Sequence, residues 1–269
     1  MENRGEEMTA RKAPQKYGEL WTRQELILAF DLYCRIPFRK TKANNPDVIE
    51  LAKLLGRSPA SVARKLGNFG SFDPELQKQH IKGLVHAGKL DAEVWDEFNS
   101  NWNRLVLEAN RLRADFGAEV ELQQEVDADI SVPHGASESE AIRKTRIHQA
   151  FFRDAILSSY EETCCITGLR IPECLVASHI VPWSVSEQHR ADPRNGLCLS
   201  ATFDRLFDRG LTTVSENLEV VISARLRKVD DRKIHDMISK YHGLPIVRPV
   251  RFLPSPAHLE WHRSNVFQG

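Results

Sequence analysis

One stretch of the chain decides the fold: LVASHIVPWSVSEQHRADPRNGLCLSATFDRLFDRG, residues 175–210. It opens with a short apolar run that leads into His179, which predicts a β-strand. Asn195-Gly196 is a turn dipeptide, and the apolar residues 197–199 after it predict a second strand. Residues 200–208 then have the pattern of a short helix, and Gly210 ends it. The predicted order is strand, loop, strand and helix.

Three sequence blocks within this stretch resemble those of a known protein family. They read Ser178-His179-Ile180-Val181-Pro182-Trp183, Asn195-Gly196-Leu197-Cys198-Leu199 and Phe207-Asp208-Arg209-Gly210. In this order they resemble the HNH endonucleases of the restriction type, which have a ββα-metal fold. The flanks match as well, with CITG at residues 165–168 and His262-Arg263 on a predicted closing helix. The resemblance covers roughly residues 142–267.

The resemblance implies a role in catalysis for His179 of the first block and for Asn195 of the second block. Phosphodiester hydrolysis needs a base that activates water and a cation that stabilises charge on the phosphate. His179 is the implied general base, since the ordinary pKa of histidine lies near the operating pH. Asn195 is implied to fix the loop that carries this histidine, through backbone hydrogen bonds. The implied cofactor is a divalent metal ion, Mg²⁺ or Mn²⁺.

The chain departs from the family pattern at the metal ligands. The family usually places a histidine on the helix, whereas here Asp204 stands nine residues after Asn195. A carboxylate is a good ligand for Mg²⁺ or Mn²⁺. If Phe203 is the aligned position instead, that position supplies no ligand. Ser178 stands where some relatives carry a metal-binding Asp or His, and a neutral hydroxyl binds a divalent cation weakly.

Two further features bear on metal binding. Asp208 is either a second ligand or the partner of an arginine that pins the helix. The five cysteines form no C-x-x-C pair, so we expect free thiols and no structural zinc.

Charge is unevenly distributed along this chain of 269 residues, although 37 basic residues balance 37 acidic ones. Between Arg11 and Lys65 there are 12 basic and 5 acidic residues, whereas residues 114–141 contain 8 acidic and no basic ones. The pattern indicates two modules joined by a linker, with an anionic partner on the first. No apolar run is long enough to span a membrane, the first 17 residues have no apolar signal core, and the cysteines are unpaired. We therefore expect a cytoplasmic protein without membrane contact.

These observations predict an α+β chain. Residues 1–17 are expected to be disordered and residues 18–112 to form an all-α helical DNA-reading domain. Residues 113–141 form an acidic linker, and residues 142–269 form the C-terminal ββα-metal HNH nuclease domain. Within the first domain, helices are predicted to start after the N-caps Thr22 and Ser58 and at Pro46, with a fourth over residues 91–112.

The N-terminal region resembles helical domains that are fused to HNH nucleases in bacterial restriction systems. Some of these recognise DNA whose backbone carries phosphorothioate sulfur, with a small apolar cavity beside arginines. This implies double-stranded DNA, in modified form, as the partner. The predicted DNA-binding residues lie in a basic loop and around the third helix: Arg35, Arg39, Arg57, Pro59, Val62, Arg64 and Lys65. In the sulfur readers an aromatic residue commonly precedes the proline, and here Ser58 does.

Three functions fit the sequence. The first is a metal-dependent DNA endonuclease of bacterial defence that restricts modified DNA. The second is a non-catalytic DNA-binding or regulatory protein with a degraded HNH site, suggested by Asp204 and Ser178. The third is a nonspecific, toxin-like nuclease. By analogy, cutting both strands with one active site per chain would suggest a homodimer.

Overall fold

The fold was analysed on a computed structural model, which describes residue 16 and residues 18–81, 87–118 and 136–269, with the backbone alone for 136–141. The disorder predicted for residues 1–17 lies outside these ranges except at residue 16, and so do residues 119–135 of the predicted linker. No helix in the described ranges is both long and apolar enough to cross a membrane.

The elements follow one another along the chain, helices first. The helices are α1 (Arg23–Arg35), α2 (Pro46–Leu55), α3 (Pro59–Phe72), α4 (Pro74–Lys78), α5 (Lys89–Phe98), α6 (Trp102–Asp115), α7 (Ala136–Ser159), α8 (Ala201–Asp208), α9 (Ala224–Arg227), α10 (Arg232–Met237) and α11 (Pro256–Asn265). The strands are β1 (Leu175–His179), β2 (Gly196–Ser200), β3 (Thr212–Val214) and β4 (Val220–Ile222).

The first three helices begin where their caps predict. Thr22 and Glu25 form a complete capping box at the start of α1, which ends just before Pro37. Asn45 caps α2, and Gly56 ends it in the left-handed conformation with φ 66°. Ser58 accepts a hydrogen bond from the backbone of α3. These starts and stops are confirmed.

The predicted fourth helix over residues 91–112 is wrong as a single element. The structure has two helices there, α5 and α6, with a break at residues 99–101. Trp95 and Trp102 nevertheless pack in one core, where their rings lie 5.3 and 6.1 Å from that of Phe30. Because both helices bury their apolar side in the same place, the apolar periodicity continues across the break and conceals it.

Strands β1 and β2 pair antiparallel, and His179 lies opposite Gly196. The sequence predicts a turn at Gly196, but the residue is extended, with φ −140°, and begins β2. A Cβ atom there would lie 2.6 Å from the ring of Phe152 and would also clash with Ile156. Glycine is therefore required because α7 lies directly against the sheet. A second hairpin, β3 with β4, was not predicted.

Helix α7 belongs to two apolar cores. Phe151 and Ala155 pack with α1 to α3, α5 and α6, whereas Phe152 and Ile156 pack with β1, β2 and α8. The boundary predicted near residue 142 therefore falls within a helix that both parts of the chain share. The division into a reading domain and a nuclease domain remains a prediction.

Candidate active site

His179 ends β1 and is held on three sides. Its ring stacks on that of Phe152, with centroids 3.6 Å apart, and meets Trp183 edge-on at 5.6 Å. Its Nε2 lies 3.0 Å from the carbonyl oxygen of Arg190. A carbonyl oxygen can only accept a hydrogen bond, so Nε2 carries the proton and Nδ1 keeps the lone pair. One nitrogen is anchored, and the other can accept a proton.

The imidazole of His179 is neutral at physiological pH. Burial lowers its pKa from 6.5 to about 4, and the positive charge of Arg190 acts in the same direction. A phosphate anion bound nearby would raise this pKa again. A general base works best with a pKa near the operating pH, so bound substrate would bring His179 closer to that condition.

Asn195 fastens the loop between β1 and β2. Its Oδ1 accepts a hydrogen bond from the backbone N–H of Val181 at 2.8 Å. Its Nδ2 donates to the carbonyl oxygens of Val181 at 3.0 Å and His189 at 3.2 Å. These are backbone hydrogen bonds of the kind that the resemblance implies for Asn195. Its place in catalysis stays a prediction.

His179 opens into a cavity of about 320 Å³, the histidine cavity. The polar residues that line it are His179, Arg205, Asp208, Arg209 and His262. Two arginines beside a neutral imidazole and a carboxylate make a site that attracts a phosphate. The sequence analysis did not single out Arg205 or Arg209. Their four-residue spacing on the predicted helix, each directly after an aspartate, was the signal that could have found them.

Two carboxylates lie one turn apart on α8. Asp208 lines the histidine cavity, whereas Asp204 is not among the lining residues. Burial, together with the charge of Asp204, raises the pKa of Asp208 to about 6. Phe203, the alternative aligned position, is 2% exposed and packs in the second core. Asp204 thus acts on the cavity through Asp208, and Phe203 serves packing.

These residues fit a magnesium or manganese ion better than a zinc ion. Mg²⁺ commonly uses one or two carboxylates and keeps several waters, and Asp208 places one carboxylate in the histidine cavity. Ser178 is 3% exposed, its Oγ has no hydrogen-bond partner within the described residues, and it is not among the residues that line the histidine cavity. Across the described ranges, no group of three or more His, Cys, Asp or Glu side chains is placed to hold a metal. All five cysteines are free thiols.

His262 shares the histidine cavity but has no nitrogen to spare. Its Nδ1 accepts from the hydroxyl of Thr213 at 2.9 Å, and its Nε2 donates to the carbonyl oxygen of Phe207 at 3.2 Å. Burial lowers its pKa to about 4. It therefore ties α11 to β3 and α8, which leaves His179 as the histidine in the cavity with a free lone pair.

Most of the predicted DNA-binding residues hold the fold together instead. Arg35 pairs with Asp31 at 2.9 Å and with Asp154 of α7 at 2.8 Å. Arg57 has a side chain only 3% exposed. It pairs with Glu25 at 2.7 Å. A phosphate contact by Arg57 is inconsistent with this burial, and one by Arg35 would require its two ion pairs to break.

The same correction applies within α3. Lys65 pairs with the buried carboxylate of Asp91 at 2.8 Å, and Val62 is fully buried in the first core. Pro59, at the first position of α3, is half-buried. Arg64 and Arg39 are exposed, and Arg39 pairs with Glu161 at the surface. Of the seven predicted residues, these two arginines are the exposed ones, and DNA contact by the set stays a prediction.

Lowering the pH should destabilise the protein through His179 and His262. Their pKa values are about 4 when folded and near 6.5 when unfolded, so between these limits the unfolded chain binds more protons. Stability therefore rises with pH in this window and is lost as pH falls. We expect the free energy of unfolding to drop by roughly 2–4 kcal/mol from pH 7 to pH 4.5.

Urea denaturation at the two pH values measures this loss. His262→Gln should reduce the pH-dependent part, whereas His235→Gln, at an exposed site on α10, should not. An unchanged pH dependence in His262→Gln would contradict the assignment of a buried neutral imidazole.

The fold and the site define the class: a ββα unit with a histidine at the end of its first strand and an asparagine before its second. Residues 164–215 match the family model of the HNH endonucleases. The match spans β1, β2, α8 and β3, and therefore His179 and Asn195. It supports an HNH nuclease domain in this part of the chain and DNA as the general class of substrate. A search of curated proteins finds no match to the chain.

Proposed function

We propose that the protein is a metal-dependent DNA endonuclease in which His179 activates water for attack on a phosphodiester. One observation carries the proposal. The Nε2–H of His179 donates to the carbonyl oxygen of Arg190, so the Nδ1 lone pair remains available to accept a proton. The ring also lines a cavity with two arginines and a carboxylate. The match to the HNH endonuclease model covers this histidine.

Each side chain has a part in the proposed reaction. Arg205 and Arg209 draw the phosphodiester into the histidine cavity, and His179 Nδ1 takes the proton of the attacking water. Asn195 keeps the loop in place so that the carbonyl of Arg190 stays on Nε2. Asp208 and Asp204, with Ser178, would hold Mg²⁺ or Mn²⁺. When bound, the ion supplies positive charge for the phosphate and the leaving oxygen.

The helical N-terminal part is the proposed DNA reader. It carries the excess of basic residues, of which Arg39 and Arg64 are exposed. We extend the proposal to modified, phosphorothioate DNA and to bacterial defence on the resemblance alone. Val62, one of the predicted DNA-binding residues, is fully buried, so a small apolar pocket for sulfur would need other residues.

A cleavage panel with the full chain tests this function. Supercoiled plasmids with and without phosphorothioate modification are incubated with EDTA, Mg²⁺ or Mn²⁺. Cleavage that requires metal supports the endonuclease, and a preference for the modified plasmid supports the restriction role. Binding without cleavage under every metal condition would favour the degraded-site alternative. Equal cleavage of both plasmids would favour the nonspecific nuclease.

Asp204→Asn should raise the metal concentration that gives half-maximal cleavage. Loss of even an outer metal partner typically costs about 10–100-fold in metal affinity or activity, so we expect at least a tenfold increase. The measurement is the initial cleavage rate against Mg²⁺ and Mn²⁺ concentration, with Asp208→Asn alongside. Asp236→Asn, on the exposed helix α10, is the matched control. If Asp204→Asn matches that control, the carboxylate ligand is elsewhere.

A further inference from the structure

A second cavity, of about 630 Å³, lies between α6, α7 and the loop that carries Arg190. We call it the α6–α7 cavity. Its charged lining comprises four cations and two carboxylates: Arg104, Arg111, Lys144, Arg190, Glu108 and Glu187. Its volume is within the range of small-ligand sites. The excess of cations gives it a preference for an anion.

The cations of this cavity differ in how far they are already neutralised. Arg104 pairs with Glu97 at 2.7 Å, and Arg190 lies 3.3 Å from Glu187. Arg111 reaches only an exposed aspartate at 3.9 Å. Lys144 is exposed, and within the described ranges it makes no salt bridge. Lys144 and Arg111, which line the cavity from two helices, are therefore the cations most open to a ligand.

The wall of the cavity contains a polar group without a partner. His148, one turn after Lys144 on α7, lines the cavity and is only 4% exposed. Its Nε2 has no hydrogen-bond partner among the described residues. A buried polar nitrogen without a partner is costly. Burial lowers the pKa of His148, and Lys144 and Arg190 act in the same direction, so the wall is rich in positive charge.

A hydrogen bond connects a residue that lines the α6–α7 cavity with one that lines the histidine cavity. Arg190 lines the α6–α7 cavity with its side chain, while its backbone oxygen accepts the bond from His179 Nε2 at 3.0 Å. Asn103 of α6 holds the same loop, because its Nδ2 donates to the carbonyl of Glu187 at 2.7 Å and its Oδ1 accepts from the N–H of Ala191 at 3.2 Å. Whatever occupies the α6–α7 cavity therefore lies beside the loop that orients His179.

We infer that the α6–α7 cavity binds a backbone phosphate of the DNA strand whose neighbouring phosphodiester lies in the histidine cavity. The inference rests on the proposed function and adds the path of the strand: along the α6–α7 cavity, past Arg190, to His179. A DNA strand carries one phosphate about every 3.4 Å along the helix axis, so a strand with one phosphate at His179 presents others nearby. Lys144 and Arg111 supply the charge, and Arg190 lies between the two sites.

Lys144→Gln tests this inference, with Arg143→Gln as the matched control. Arg143 is the preceding residue on α7, is equally exposed and does not line the cavity. Both changes are made in full-length His179→Ala protein, so that binding of unmodified duplex DNA is measured without cleavage. Lys144→Gln should weaken binding and reduce the slope of log affinity against log salt by about 0.9, the value for one lost phosphate contact. Arg143→Gln should leave both unchanged.

Equal effects of the two changes on DNA binding would overturn the inference. A second arm separates a DNA phosphate from a free one: inorganic phosphate is titrated into wild type and Lys144→Gln, and thermal unfolding is recorded. If phosphate stabilises wild type alone while DNA binding is the same in both, the cavity takes a free anion and the inference fails. The binding arm does not depend on cleavage, so a protein that never cuts DNA would refute the proposed function and still test this site.

Discussion

His179→Ala is expected to abolish DNA cleavage while leaving DNA binding nearly intact. Removal of a general base typically costs about 10²–10⁴-fold in rate. Because His179 meets the remaining protein through ring stacking and one backbone hydrogen bond, its loss removes the proton acceptor without removing a cation from the DNA path. Single-turnover cleavage at saturating metal measures the rate, and a salt-dependent binding titration measures affinity.

Two controls keep this result interpretable. His235→Ala removes an exposed histidine on α10 and should cleave at the wild-type rate. His179→Gln keeps a side chain of similar size against Phe152, so a loss of activity in both His179 variants cannot come from a void beside the sheet. Retention of more than about a tenth of the wild-type rate in His179→Ala would assign the base to another residue.

Local signals in the sequence predicted the parts of the fold that depend on neighbouring residues. The capping box of Thr22 and Glu25, Pro46 and Ser58 each set a helix start through contacts made within one turn. The order of β1, β2 and α8 followed in the same way from short apolar runs and Gly210. The break between α5 and α6 falls on Asn99-Ser100-Asn101, a short run of loop-type residues that the long apolar pattern outweighed, and Asn101 takes the N-cap of α6 without a side-chain hydrogen bond.

Some basic residues were assigned to DNA because an acidic partner is distant in sequence, although the pair of Arg35 with Asp31 follows the i,i+4 spacing of one helix. Arg35 reaches Asp154 across 119 positions, and Arg57 reaches Glu25 across 32. No spacing rule connects such pairs before the chain is folded. The same limit applies to the histidine cavity, which combines His179 on β1 with Arg205 and Asp208 on α8 and with His262 on α11. The sequence motif was enough to predict His179 as the base, whereas the residues around it in the cavity are brought together only by the fold.

The second large effect is expected at Arg251, which joins the two parts of the chain. Its side chain is fully buried and donates to the carbonyl oxygens of Tyr33 and of Ile36, the latter at 2.8 Å. It also donates to the hydroxyl of Ser158 on α7 at 2.7 Å. The end of α1 explains this arrangement. The helical partner of the Tyr33 carbonyl would be the N–H of residue 37, and Pro37 has none.

Arg251→Met should therefore lower the free energy of unfolding by about 3–5 kcal/mol. Methionine has a similar length but no donor, so two buried carbonyl oxygens lose the Arg251 donor, at about 1–3 kcal/mol each, while the Ser158 hydroxyl still donates to the carbonyl of Cys34. Removal of a buried charge offsets part of that cost. Urea denaturation of the full chain measures the change, with Arg248→Met, an exposed arginine of the same segment, as the control.

The number of steps in the urea-unfolding transition is as informative as its midpoint. If Arg251 couples the helical part to the nuclease part, wild type unfolds in one step, and Arg251→Met separates the loss of α1 from the loss of the β1–β2–α8 unit. Fluorescence reports this directly, because Trp95 and Trp102 lie in the first core and Trp183 lies beside His179. If Arg251→Met is as stable as Arg248→Met, the contacts of Arg251 contribute little to stability. The coupling between the two parts would then rest on α7, whose residues pack in both apolar cores, and any effect of DNA binding by the helices on His179 would have to pass through that helix.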